Sequence, residues 1–97
     1  MNAEIFRQTL QNNEPPQGIS PCLQALWYDA NNNWEQSHQL IQDEPGTLPA
    51  LIHAYLHRKE GDQGNAGYWY RRGGKAPFSG SLQEEWEWLV QACLNPQ

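Results

Sequence analysis

The sequence predicts an all-α domain of about five helices, in which two antiparallel hairpins sit between terminal helices. Three observations lead there. Apolar residues recur at three- and four-residue spacing, most clearly Leu82, Trp86, Leu89, Val90 and Cys93, the repeat of a helix that buries one face. Residues that start and stop helices punctuate the chain at short intervals. No run alternates apolar with polar residues and β-branched residues are scarce, so nothing signals a strand.

The segment Asn2–Asn12 offers Ile5, Phe6 and Leu10 as anchors, a spacing that suits a short docked helix. Glu14-Pro15-Pro16-Gln17-Gly18 breaks regular structure. Residues 1–19 are therefore read as an N-terminal segment ahead of a single helical domain over residues 20–95. Ser20-Pro21 is an N-cap followed by proline at the first helical position, where its missing N–H costs nothing. That helix runs to about Ala30, burying Leu23, Leu26, Trp27 and Ala30, and Asn31-Asn32-Asn33 closes it. Asn33 caps the next helix and Gln36 completes a capping box; Trp34, Ser37, His38 and Ile41 share its buried face.

Asp43-Glu44-Pro45-Gly46 stops the chain again, and Thr47 is the expected cap of a helix from about Leu48 to Lys59. Gly61-Asp62 makes a turn, and Asp62 caps a helix whose stripe is Ala66, Trp69, Tyr70 and Gly73. Gly73-Gly74 supply a left-handed C-terminal cap, and residues 75–80 form a loop around Pro77. Ser81-Leu82-Gln83-Glu84 is a second capping box that opens the last helix, which Asn95-Pro96 ends.

Ninety-seven residues make one small domain. Five Trp, four Tyr and two Phe stand against one Met, so much of the core is aromatic and carries polar tips that need partners. Six basic against eleven acidic residues give a net charge of −5, which argues against nucleic-acid binding. The basic pairs Arg58-Lys59 and Arg71-Arg72 fall at predicted helix ends, where cations complement the helix dipole. Cys22 and Cys93 form no CxxC pair and are expected to be reduced, buried and inert, an interhelical disulfide being the alternative. Residues 1–20 lack an export signal and no apolar run is long enough to span a membrane. Cytoplasm is the expected location.

Two segments repeat a spacing. Ala25, Tyr28, Ser37 and Ile41 in the first correspond to Ala54, His57, Ala66 and Tyr70 in the second, each offset by 29 residues. Small residues let two antiparallel helices approach, and large ones further along fill the gap. Over roughly residues 23–73, and most clearly over 54–73, this pattern resembles the tetratricopeptide repeat. The offset is shorter than that family's period of about 34 residues, and two units are fewer than the three a solenoid needs. The resemblance implies tetratricopeptide-like hairpins closed off by terminal helices. The run HAYLHRKEGD followed by NAGYWYRR also resembles a signature of small uncharacterised proteins, which implies no activity.

The densest chemistry lies between Leu51 and Gly73. His53 and His57 are four apart and share one face of their helix, and His38 on the preceding hairpin is within reach of them. The preferred reading is structural: hydrogen-bonded histidines of the core, with no metal and no cofactor. The alternative is a zinc site of His38, His53 and His57 with an open position, Glu60 or Asp62 being a further ligand. HxxxH lacks the glutamate of the HExxH protease motif. Tyr68, Tyr70 and Arg71 are candidates for an aromatic and cationic pocket, since arginine pairs bidentately with carboxylate or phosphate. Glu84, Glu85 and Glu87 are expected to be solvated. No phosphate-binding loop or catalytic nucleophile motif is present.

The chain is accordingly read as a non-enzymatic binding or interaction domain, taking a protein partner or a small ligand at His38, His53, His57, Tyr68, Tyr70 and Arg71. Trp88 lies off the main stripe of the last helix, and with Tyr68 it is expected to form an exposed patch for a partner or a second copy of the chain. The competing class is a metal- or small-ligand-binding protein or enzyme built on the same His/Tyr/Arg cluster.

Overall fold

The computed structural model describes residues 1–95. Six helices form among them and no strand: α1 (Ala3–Thr9), α2 (Pro21–Ala30), α3 (Trp34–Ile41), α4 (Thr47–Lys59), α5 (Gln63–Arg72) and α6 (Leu82–Leu94). The expected stop at Asn95-Pro96 is seen only as far as Asn95, which caps α6; Pro96 lies outside the described residues. No helix of the described residues is long and apolar enough to cross a membrane.

Four of the six starts are made by side chains that the sequence points to, Ser20, Asn33, Asp62 and Ser81, and Asn2, not read as a cap from the sequence, starts α1 in the same way. Asn2, Ser20, Asn33, Asp62 and Ser81 each accept a hydrogen bond from the backbone N–H three residues on, satisfying one of the donors a helix leaves orphaned. At α3 only the Asn33 half of the expected capping box forms. At α6 both halves form, and the Glu84 carboxylate accepts from the Ser81 N–H at 2.8 Å. Ser81→Ala should therefore cost about 1 kcal/mol, and Ser81→Gly only a few tenths. Urea unfolding of both variants measures this, and equal, negligible losses would show that the cap contributes nothing.

Three expectations at helix ends are corrected. The N-cap of α4 is Gly46, with no side-chain cap bond, and Thr47 is already helical. The chain enters α4 at φ +117°, in the region that favours glycine. At the end of α5 only Gly74 is left-handed, at φ +74°. Gly73 is needed for a different reason: a Cβ there would stand 2.7 Å from Leu51 Cδ2. In α2 the buried position falls to Asp29, and Ala30 is exposed.

Helix α4 is the centre of the molecule, packed against α2, α3, α5 and α6, and every residue from Pro49 to Leu56 is buried. The pairs α2–α3 and α4–α5 pack side by side, and each helix of these pairs carries a fully buried small residue, Ala25, Ser37, Ala54 and Ala66. Helix α1 docks on α6 through Phe6, whose ring centroid is 6.1 Å from that of Trp86. Aromatic tips find carbonyl partners, as burial demands. Trp27 Nε1 donates to Thr9 O, Trp34 Nε1 to Leu56 O, and Trp86 Nε1 to Leu26 O.

Two buried carboxylates tie the helices together, and sequence reasoning missed both. Glu85, expected on the surface, is 2% exposed. It accepts from Arg58 Nη1 at 2.7 Å and from the Tyr70 hydroxyl at 2.5 Å. Asp29, also 2% exposed, accepts from the Tyr55 hydroxyl at 2.6 Å and from Lys59 Nζ at 2.9 Å. Arg58 and Lys59 thus reach across to other helices, beyond any role at the end of α4. Burial and these carboxylates push the Tyr55 and Tyr70 hydroxyls above the ordinary phenol range.

Candidate functional site

The chain has three histidines, and the fold brings all of them together. His53 and His57 lie one turn apart on α4, and His38 comes from α3, the helix that α4 meets across the two hairpins. His38 Nε2 and His53 Nε2 are 2.9 Å apart and share a hydrogen bond. The His53 and His57 rings stack with centroids at 4.9 Å, and those of His38 and His57 are 5.5 Å apart. One ring nitrogen from each of the three lies within 4.8 Å of the others.

Two indoles frame the cluster. Trp34 stacks on His38 at 4.9 Å, and Trp69 stacks on His53 at 3.9 Å. Each has a further contact: the Trp34 N–H is fixed on the α4 backbone, and the Arg72 guanidinium lies 5.2 Å from the Trp69 centroid. His53 is buried, and His38 and His57 are half-buried, so the cluster has one dry side and one side open to water.

The electrostatics keep the deep imidazoles neutral. Burial first, and then the proximity of His38 and His57, lowers the pKa of His53 to about 4. Burial, followed by the charge of His57, lowers that of His38. A neutral imidazole has one N–H and one lone pair, so the His38–His53 bond consists of one donor and one acceptor. His57 Nδ1 meets Glu60 Oε2 at 2.6 Å. Asp62 is committed elsewhere, accepting from the Asn65 N–H at 3.1 Å and from Asn65 Nδ2 at 2.8 Å as the cap of α5.

The other candidates do not join the cluster. The Tyr70 hydroxyl is buried against Glu85 on the α6 side. The Arg71 side chain lies back along its own helix, with Nη1 3.4 Å from where a Cβ on Gly67 would stand. Tyr68 is exposed, packs edge-on against Trp69, and its hydroxyl accepts from Arg72 at 2.9 Å. Trp88 is exposed beneath Lys75, whose Nζ is 4.8 Å from the ring centroid. With Tyr70, Phe78 and Leu89 it lines a cavity of about 330 Å³ between α5, the loop of residues 75–79 and α6. Cys22 and Cys93 are free, half-buried thiols on the two helices α2 and α6, and the neighbouring Cys22 first, then burial, raises the Cys93 pKa.

Among the described residues no serine, threonine or cysteine hydrogen-bonds to any of the three imidazoles. The cluster therefore offers donor nitrogens and stacking faces, with no nucleophile set against a base. No protein-family model matches the chain, and no curated protein or solved structure matches it either.

Proposed function

We propose that this chain is a small non-enzymatic binding domain of the cytoplasm, made of tetratricopeptide-like hairpins, whose ligand site is the cluster of His38, His53 and His57. One observation carries the reading: every histidine of the chain, from two different helices, converges on one half-exposed spot between two stacked indoles. Packing alone has no use for such an arrangement. Burying imidazole takes polar ring nitrogens out of water, where they need partners, and apolar side chains would fill the same space without that cost. Sites retained for binding are commonly suboptimal for stability.

The test is His57→Leu in chelator-treated protein. Leucine fills the space and is the better helix former. The partner it abandons, Glu60, has a side chain 39% exposed, which water resolvates at little cost. Stability should be unchanged or raised by up to about 1 kcal/mol. A loss of about 2 kcal/mol or more would mark the cluster as a structural polar network and overturn the reading.

A further inference from the structure

The geometry points to a divalent transition-metal ion of the zinc class as the ligand of this cluster, held by His38, His53 and His57 with a fourth position open to solvent. The inference rests on the cluster being a binding site and adds what it binds. Zinc–nitrogen bonds of about 2.0–2.1 Å set tetrahedral donor atoms about 3.3 Å apart. The His38 and His53 Nε2 atoms are 2.9 Å apart, and one ring nitrogen from each of the three lies within 4.8 Å of the others, separations near the tetrahedral value that an ion would have to bring to it. Two donors sit one turn apart on the rigid central helix, and the third comes from the neighbouring hairpin, so an ion would clamp α3 to α4.

Glu60 is a positioning residue in this site and not a ligand. Its carboxylate takes the Nδ1–H of His57, which fixes the tautomer and leaves Nε2 as the lone pair free for metal. Ligating histidines characteristically donate their other N–H to a carboxylate in this way. Asp62, bound to Asn65 at both oxygens, is not free to complete the shell. Three protein ligands and an exposed side leave a place for water.

The donor set also selects. Three imidazole nitrogens suit zinc, cobalt, nickel or copper, whereas magnesium and calcium require oxygen. Binding needs the Nε2 lone pairs of both His38 and His53. Whichever ring now donates in their mutual bond passes its Nε2 proton to its own Nδ1 through solvent, so that step releases no net proton.

The experiment is titration of the chelator-stripped full chain with zinc by calorimetry and with cobalt by visible absorption, repeated on His38→Gln, His57→Leu and Glu60→Gln. The expected result is one ion per chain and the ligand-field bands of tetrahedral cobalt. Affinity should fall at least tenfold in each histidine variant. Glu60→Gln should lose about 10–100-fold with unchanged stoichiometry. Magnesium should give no heat and no rise in Tm. Absence of saturable zinc binding, or binding undiminished in both histidine variants, overturns the proposal. The two failures separate cleanly. If zinc does not bind while His57→Leu keeps its stability, the site stands and the metal falls; if His57→Leu unfolds easily, the site itself falls.

Discussion

Glu85→Ala should destabilise the fold by about 3–5 kcal/mol, the cost of breaking a buried ion pair by removing one partner. The size follows from what is left behind. The Arg58 side chain is 22% exposed and keeps only Gly80 O as an acceptor in this region. The Tyr70 hydroxyl, on a residue 4% exposed, loses its acceptor altogether. Two donors are thus stranded where α4, α5 and α6 meet, together with the cavity left by the missing side chain. Glu85→Gln keeps the shape and one acceptor oxygen and should cost clearly less. Joint replacement of Arg58 and Glu85 by apolar residues should recover much of the loss, because a desolvated pair contributes little beyond a well-packed apolar one. Urea unfolding with a shared m-value reads all three. A Glu85→Ala loss under about 1 kcal/mol would return Glu85 to the solvated surface that composition suggests.

That carboxylate shows where sequence reasoning succeeds and where it stops. The helices were legible because their signals are local: a cap side chain, a proline at the first position, an apolar repeat. Phe6 anchors α1 in the core as the apolar spacing suggests, whereas its Asn2 cap is a signal that sequence reasoning missed. The apolar repeat also held the information about the buried acids. Glu85 occupies the stripe of Leu82, Trp86 and Leu89, and Asp29 follows Cys22, Ala25 and Leu26 on theirs. An acid on a buried stripe signals a partner arriving from another helix. The expectation that carboxylates are solvated masks that signal, and the place of Arg58 and Lys59 at the end of α4 points only to their own helix. His53 and His57 were legible as a pair because one turn separates them. That His38 meets them, that Trp34 and Trp69 stack on the imidazoles, and that Tyr70 turns away toward Glu85 are consequences of how the hairpins pack, which no local pattern contains.

Acidification of the metal-free protein should remove up to about 3 kcal/mol of stability between pH 6.5 and 4 through His53 alone. His53 is 6% exposed, stacked on Trp69 and bonded to His38. Its pKa is about 4, against about 6.5 in an unfolded chain. The folded value is depressed, so above pH 6.5 both states are neutral and stability is full. Below it the unfolded chain takes up a proton that the folded state refuses. Stability falls until the pH reaches the folded pKa, and then this contribution levels off. The gap of about 2.5 pH units, at about 1.4 kcal/mol each, sets a ceiling of about 3.5 kcal/mol well below pH 4, of which about 3 is lost by pH 4. His38, shifted the same way by burial, adds loss in the same window. Carboxylates titrate near its lower end, so the measurement is the difference between wild-type and His53→Gln stability across pH 7.5 to 4, with chelator present throughout. The wild-type curve should fall more steeply, and a nitrogen-15 titration should find His53 neutral well below pH 6. Parallel curves, or a folded His53 that titrates near 6.5, would mean the imidazole is solvated and the cluster more open than its packing indicates.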